Sequence, residues 1–424
     1  MGDELQVEVD SEFSRSSVPK DQRRSYFNLT IVWTGYVFVI TSMMAGGGLA
    51  AGLNFKQLLL AMIVGNVFLS IIAVSISVIA CKTGLTFALM SRYSFGVKGS
   101  KIASIFVPIV NLGWYTIQAA TYGHFIAQIF NLNGIGEGIA MALSAIVMGI
   151  FAMLGFNALT ILGYVAIPAI IFLSIATAIR SVDTIGGIGA LLQYQPAETM
   201  TIFAGITAVI GQWILSTSTC IADIMRYAKS PKQATASALT GLFGGNILMI
   251  VCGAVAAIAL NNSDLTVVLL EFGLVFPSII LMTTNIFTTN AANLYSTSMN
   301  LSNSFRMKRE KMMVILLVLS ALGTLLKPYE VSFLFQFLDI LGTIVPPLAG
   351  IILSDYFFIH RGTYAEFEKA KFKDWNIIPW ISWIVSAIIV VLVPVGLPSL
   401  NGMILGGVIY TVLMVATKQK IVEV

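Results

Sequence analysis

Charged side chains are scarce in this sequence. Only 10% of its 424 residues are Asp, Glu, Lys or Arg, while 57% are hydrophobic; soluble domains carry roughly 25% charge. A chain of mean hydropathy +0.89 has too much apolar surface to hide in a water-soluble fold. Histidine is nearly absent, and His124 and His360 lie too far apart in sequence to share a metal. The three cysteines, Cys81, Cys220 and Cys252, match no metal-ligand spacing and read as small buried residues. No nucleophile–base pair stands out either, which argues against an intramembrane enzyme. The acidic start, Met1 to Ser14, lacks the apolar stretch of a signal peptide and is read as a cytosolic tail. No cofactor, nucleic acid or obligate protein partner is expected.

Long apolar runs are abundant instead. Twelve of them are expected to cross the bilayer, at 28–52, 55–80, 102–130, 136–156, 160–180, 201–224, 235–260, 272–298, 312–327, 331–357, 377–395 and 402–417. The fold class is therefore an all-α integral membrane protein of twelve transmembrane helices. With the N-terminus in the cytosol, all 24 Lys and Arg residues except Lys56, Arg180 and Lys327 fall inside. That is the positive-inside pattern, and it puts both termini in the cytoplasm of a cell-membrane protein. The chain then divides into a tail (1–27), two groups of five helices (28–180 and 201–357), two further helices (377–417) and a cytosolic end (418–424).

Two spans look interrupted. The first carries Thr34, Gly35, Thr41, Ser42 and Gly46-Gly-Gly48; the sixth carries Gly211-Gln212-Trp213 and then Ser216 to Thr219. Glycine-broken spans at matching places five helices apart point to an inverted-repeat transporter with discontinuous helices 1 and 6. Gly35 and Gly211 are the expected break points, and Gly46 to Gly48 are expected to permit close helix packing. In the eighth span, Asn285, Thr288, Thr289 and Asn293 fall on one helical face. Neutral oxygens there suit a hard monovalent cation or a polar ligand. The alternative is that the Thr hydroxyls bond back to their own i−4 carbonyls and the Asn side chains join neighbouring helices.

The third span aligns Asn111, Trp114 and Gln118 on one face, and Trp114 and Trp213 lie mid-span, away from the interfaces where tryptophan is usual. Two central indoles with Asn111, Gln118 and Gln212 suggest a slot for a flat, hydrogen-bonding ring; ordinary packing aromatics are the alternative. Asp339 is placed deep in a span and is a candidate proton carrier or a structural hydrogen-bonding group. Asp223 and Asp355 are expected to pair with Arg226 and Arg361. His124, mid-membrane, has no evident partner in the sequence. Polar faces are confined to spans 1, 3, 6 and 8 with no charged ring, which argues against a channel.

Four runs carry a resemblance: Ser91-Arg-Tyr-Ser-Phe-Gly-Val-Lys-Gly-Ser100, Asn111-Leu-Gly-Trp114, Asn285-Ile-Phe-Thr-Thr-Asn290 and Ile344-Val-Pro-Pro-Leu-Ala-Gly350. Through the first ten spans, in order, the chain resembles the nucleobase:cation symporter-1 family of purine, pyrimidine and hydantoin transporters. The resemblance implies a leucine-transporter-type fold, two inverted five-helix repeats plus two extra helices. It also implies a sodium site built from the carbonyls of Gly35, Phe38 and Asn285 and the hydroxyls of Thr288 and Thr289. The substrate would be sandwiched by Trp114 and Trp213, with Gln118, Gln212, Asn111 and Asn285 reading its edge. The expected function is uptake of cytosine or a purine with a cation, sodium by resemblance. The alternative is proton- or sodium-coupled uptake of a hydantoin- or allantoin-like ring.

Overall fold

The structure, a computed structural model, describes residues 13, 16–153, 156–263, 275–305, 307–419 and 421–423, with single positions 267, 270, 271 and 273. Apolar runs between polar caps make helices of nearly all of it. Ser25 accepts the Asn28 N–H and starts α1 (Tyr26–Val37). After two extended residues the chain resumes as α2 (Ile40–Gly52), at 49° to α1. A reciprocal Asn54–Gln57 cap begins α3 (Phe55–Thr83), and Gly84, at φ +74°, ends it. Then come α4 (Phe87–Ile129), α5 (Ile135–Met153), α6 (Phe156–Ile185) and the short α7 (Ile188–Gln193).

The second half continues with α8 (Ile202–Ser218), α9 (Cys220–Met225), α10 (Pro231–Leu239) and α11 (Ile247–Leu260). Helices α10 and α11 are joined without a break by a wide π-helical turn, Thr240–Asn246. They are followed by α12 (Val275–Phe305), α13 (Arg309–Thr324), α14 (Val331–Ile344), α15 (Pro346–Ser354), α16 (Ile378–Leu392) and α17 (Pro398–Thr417). Two short strands, β1 (Lys371–Phe372) and β2 (Val422–Glu423), pair antiparallel. Among the described residues, α3, α4, α10–α11, α14 through Ile359 and α17 are long and apolar enough to cross a bilayer, and the bent α1–α2 pair makes a sixth. Helices α5, α8 and α16 are apolar but shorter.

The interior is built by backbones in direct contact. A Cβ placed on Gly46 would lie 2.1 Å from the Ile250 carbonyl oxygen, and one on Gly253 would lie 2.0 Å from that of Met43. Only hydrogen fits at either position, so α2 and α11 touch along their length, as small residues allow in apolar surroundings. The packing role expected of Gly46 to Gly48 is what the structure has. Gly211 differs from expectation. It lies inside the continuous α8, pressed on α14 with its Cβ position 1.9 Å from the Leu338 carbonyl oxygen. The chain turns instead at Thr219 (φ −133°, ψ −71°). The first break likewise falls at Phe38 and Val39, beyond Gly35, with φ values of −73° and −131°. Neither needs glycine, because negative φ is open to any residue.

One end of the bundle gathers the segments whose basic residues the sequence grouped together. Val18 N–H donates to the Gly84 carbonyl, Arg24 N–H to Tyr227, and Arg23 Nη1 to both Cys81 and Ala228. The Ser17 hydroxyl and N–H both reach Glu368 Oε1. At Gly96 (φ +77°) α4 bends to receive the 373–376 segment: Val97 and Lys98 N–H donate to the carbonyls of Lys373 and Asp374, and Asn376 binds Ser94 and Phe95. The run Ser91–Ser100 is thus a docking point between α4 and the chain that leads to α16.

Candidate functional site

The break in the first span is held open by one side chain. Asn285, on α12, accepts the Ile40 N–H at Oδ1 (2.8 Å) and donates Nδ2 to the Phe38 carbonyl (2.8 Å). An unbroken helix would have given that N–H to Tyr36; the amide supplies the bonds that the backbone has given up. Asn285 carries a further interaction beyond these, and it does not line the cavity described next.

Beside the break, α1–α2, α4, α8 and α12 enclose a narrow cavity of about 30 Å³. Its walls include Asn111, Trp114 and Gln118 from α4 and Gln212 and Trp213 from α8. The structure thus brings five of the expected slot residues together. Tyr36, Val39, Thr41, Ser216, Thr289 and Asn293 complete the lining. Tyr36 sits edge-on to Trp213 (centroids 5.7 Å apart) and stacks on Trp33 (5.8 Å). Trp114 is edge-on to Phe337 of α14 (5.1 Å). The volume suffices for little more than one or two waters, so a nucleobase-sized ring enters only if these rings separate.

A chain of buried amides runs behind the lining. Gln212 Nε2 donates to Ser42 Oγ (2.6 Å) and Ser42 Oγ to Asn246 Oδ1 (2.9 Å), which also accepts the Trp213 indole N–H (2.9 Å). Asn246 Nδ2 continues to Asn66 Oδ1 (3.0 Å), and Asn66 Nδ2 ends on the Met62 carbonyl (2.9 Å). Sequence reasoning named Gln212, Trp213 and Ser42 but missed Asn66, Asn246 and Tyr36. The signal was a lone Asn inside each of two otherwise apolar runs, Asn66 in Val64-Gly-Asn-Val67 and Asn246 after Gly244-Gly245. Asn246 closes the π-helical turn; such turns collect at functional sites.

The expected cation ligands are partly engaged. Phe38 O accepts from Asn285, and Asn285 O accepts the Thr289 hydroxyl (3.0 Å), the back-bond foreseen as the alternative. A carbonyl keeps a second lone pair, and a hydroxyl that gives away its proton keeps both of its own, so these bonds leave acceptor capacity on the Phe38 and Asn285 carbonyls and the Thr289 hydroxyl. Gly35 lies one turn before the break. The Thr288 side chain lies outside the described residues. Asn290, in the same run, serves packing: its Nδ2 donates to the Tyr115 carbonyl on α4.

Other titratable groups take different places. Asp339 is on the exposed face of α14, opposite the buried Leu334, Leu338 and Leu341, and does not line the cavity. His124 has partners that the sequence did not reveal: Nδ1 meets Glu137 Oε1 (2.7 Å), and its ring stacks on Tyr329 (4.0 Å), whose hydroxyl also donates to Glu137. Asp355 is fully buried and accepts from Tyr364 (2.7 Å) and Tyr410 (2.6 Å), with His360 Nδ1 at 3.4 Å. The expected partner, Arg361, is exposed at a left-handed turn (φ +53°), and the phenols take its place. Asp223 Oδ1 accepts the Phe87 N–H, while Arg226 binds the Asp223 backbone carbonyl and that of Phe13.

Comparison with known proteins gives consistent matches. A family model described as a permease for cytosine/purines, uracil, thiamine and allantoin matches residues 17–418. The cytosine permease of Escherichia coli is 32% identical over 373 residues, 88% of this chain and 86% of that one. Among solved structures, Mhp1 in an inward-facing conformation superposes with a TM-score of 0.80 at 17% identity, covering 96% of this chain and 95% of that one. Mhp1 in a closed conformation with bromovinylhydantoin bound, titled a nucleobase-cation-symport-1 family transporter, gives 0.76 at 19% identity and 96% of each chain.

Proposed function

Because the chain belongs to the family of permeases for cytosine and purines, uracil, thiamine and allantoin, we propose that it imports cytosine or a purine together with one sodium ion by alternating access. It is a multi-pass membrane protein and a transporter, not an enzyme, as its relatives are permeases. The observation that carries the reading is the cavity: Trp114, Trp213, Asn111, Gln118 and Gln212, from two helices far apart in sequence, line one slot beside the broken first span. Stacking on indoles accepts any flat ring, and buried amides discriminate among edges. A hydantoin- or allantoin-like ring is the second reading, since the same two indoles would stack on it equally well.

The architecture proposed with it is leucine-transporter-type. Helices of 28–180 and 201–357 form two inverted repeats with breaks in spans 1 and 6, the helices of 377–417 are additional, and both termini are cytoplasmic. Phe38 and Asn285 carbonyls, with Gly35, Thr288 and Thr289, would hold the ion where α12 clamps the break, so that filling the site bears on the same joint that borders the slot. One positive charge moving inward gains roughly 2.3 kcal/mol per 100 mV, and a tenfold sodium gradient adds about 1.4 kcal/mol. Together they sustain about 500-fold accumulation of a neutral ring, so a single ion suffices.

The test is a thermal-shift and binding series on purified protein, with cytosine, adenine, uracil, allantoin and a hydantoin, in sodium and in potassium. At least one ring should stabilise the protein, more strongly in sodium. Trp114→Ala should weaken every bound ring alike, by about ten- to a hundredfold. Thr289→Ala should abolish the sodium dependence, since ion and ring favour the same state and couple reciprocally. Intact affinities in Trp114→Ala would remove the slot from this cavity, and an intact sodium response in Thr289→Ala would remove the ion from α12.

A further inference from the structure

The amide chain behind the slot has a direction, and its two ends set it. The Met62 carbonyl can only accept, so Asn66 presents Nδ2 to it and keeps Oδ1 for Asn246. The Trp213 indole can only donate, so Asn246 turns Oδ1 toward it and Nδ2 toward Asn66. Both ends demand the same orientation of Asn246. Ser42 has one hydroxyl proton. At 2.9 Å from Asn246 Oδ1 that proton lies between the two oxygens, since two bare acceptors would repel at that distance. Ser42 Oγ is then left as an acceptor, and at 2.6 Å it takes Gln212 Nε2.

Gln212 is therefore held with its amide nitrogen turned back and its Oε1 free. That oxygen is buried and has no hydrogen-bond partner among the described residues, and the same holds for Oε1 of Gln118, which lines the slot from α4. Ser42, Asn66 and Asn246 are fully buried, so the network cannot exchange its bonds with water without opening. A buried acceptor left empty costs about 1–3 kcal/mol. A ligand carbonyl placed against it does worse.

We propose that this network makes the slot acceptor-lined at Gln212, that the ring edge set there carries an N–H donor, the exocyclic amine of an aminopyrimidine or aminopurine, and that Asn246 is the positioning residue that imposes the choice. The proposal rests on the slot being the substrate site. It explains why the chain spends two amides and a serine where apolar side chains would pack: stacking alone does not separate cytosine from uracil, or adenine from hypoxanthine, and a fixed carbonyl does.

The experiment measures affinities of purified protein for those two matched pairs, in which an amine is exchanged for a carbonyl. Wild type should favour the amine in at least one pair by about tenfold or more. Ser42→Ala removes the acceptor that holds Gln212, and the preference should shrink to near parity, chiefly by tighter binding of the oxo ring; Ser42→Thr should restore it. Asn66→Ala is the second variant, distant from the lining: it frees Asn246 to turn and should lower the ratio in the same way. A loss of packing alone would weaken both members of a pair equally, and an unchanged ratio in variants that fold overturns the proposal. So does a wild type that prefers the oxo rings. If wild type binds none of the four, the slot itself is not the nucleobase site and both readings fall.

Discussion

At the scale of single residues, most of what decides this protein is an amide or a phenol that satisfies a group the helices leave open. Asn285 replaces the backbone bonds lost at Phe38 and Val39; Asn246 joins α11 to α8 and α2; Asp355 accepts from two phenols. His360 belongs to the last set and lies beyond the end of α15. Burial disfavours its imidazolium, but the hydrogen bond and charge of Asp355 outweigh burial and hold its pKa above the ordinary value. A raised folded-state pKa means stability that is fully present below the unfolded value of about 6.5 and is lost as pH rises through the folded value. The melting temperature in detergent should accordingly fall as pH rises above about 6.5, and His360→Gln should flatten that slope. A wild-type slope equal to that of the variant would show that Asp355 does not hold a charged imidazole.

At the scale of elements, glycine does here what apolar side chains do in water-soluble bundles. Lipid removes the hydrophobic drive between helices, so close backbone approach and dispersion must supply it. Gly253 against Met43 is the tightest place between α2 and α11, with the added Cβ 2.0 Å from one backbone oxygen and 2.5 Å from its carbon. Neither neighbour can yield without a helix moving. Gly253→Ala should therefore destabilise by about 1–3 kcal/mol or more, whereas Gly244→Ala, where nothing lies within 4 Å, should be close to neutral. Thermal melts of the two variants check this, and equal losses would mean that α2 and α11 do not meet as described. The same logic corrects Gly211: its smallness serves contact with α14, and the sixth span turns eight residues later, at Thr219.

For the whole molecule, the decisive arrangement is that the amino-terminal segment, the α3–α4 turn, the chain after α9 and the 366–376 segment meet at one end through Ser17–Glu368, Val18–Gly84, Arg24–Tyr227 and Val97–Lys373. The opposite end brings Glu137 to Lys327 and Tyr329, and Gly52 to Met200. Lys229 and Lys371 belong to the first group, and Ser263, whose backbone oxygen lies 3.1 Å from the Cβ position of Gly47, belongs to the second. Lys229→Cys and Lys371→Cys should resist impermeant thiol reagents in intact cells, and Ser263→Cys should react. Reaction at 371 but not at 229 would mean an odd number of crossings between them, and the proposed topology would fail.

Sequence alone settled what depends on composition and on the immediate neighbours of each residue. Apolar runs dictate helices in lipid because every backbone group must bond internally, and the grouping of basic residues predicts which side each loop takes. The period of the helix put Asn111, Trp114 and Gln118 on one face, so half the slot was legible, together with Gln212-Trp213. The other half was not. Tyr36, Ser42, Asn66 and Asn246 enter through contacts between segments up to 204 residues apart, and no local pattern separates an amide that glues two helices from one that orients a ligand. The breaks were misplaced for the same reason. A helix end inside a membrane is set by which distant side chain, here Asn285, supplies the missing hydrogen bonds, and only the packing of α12 against the first span determines that.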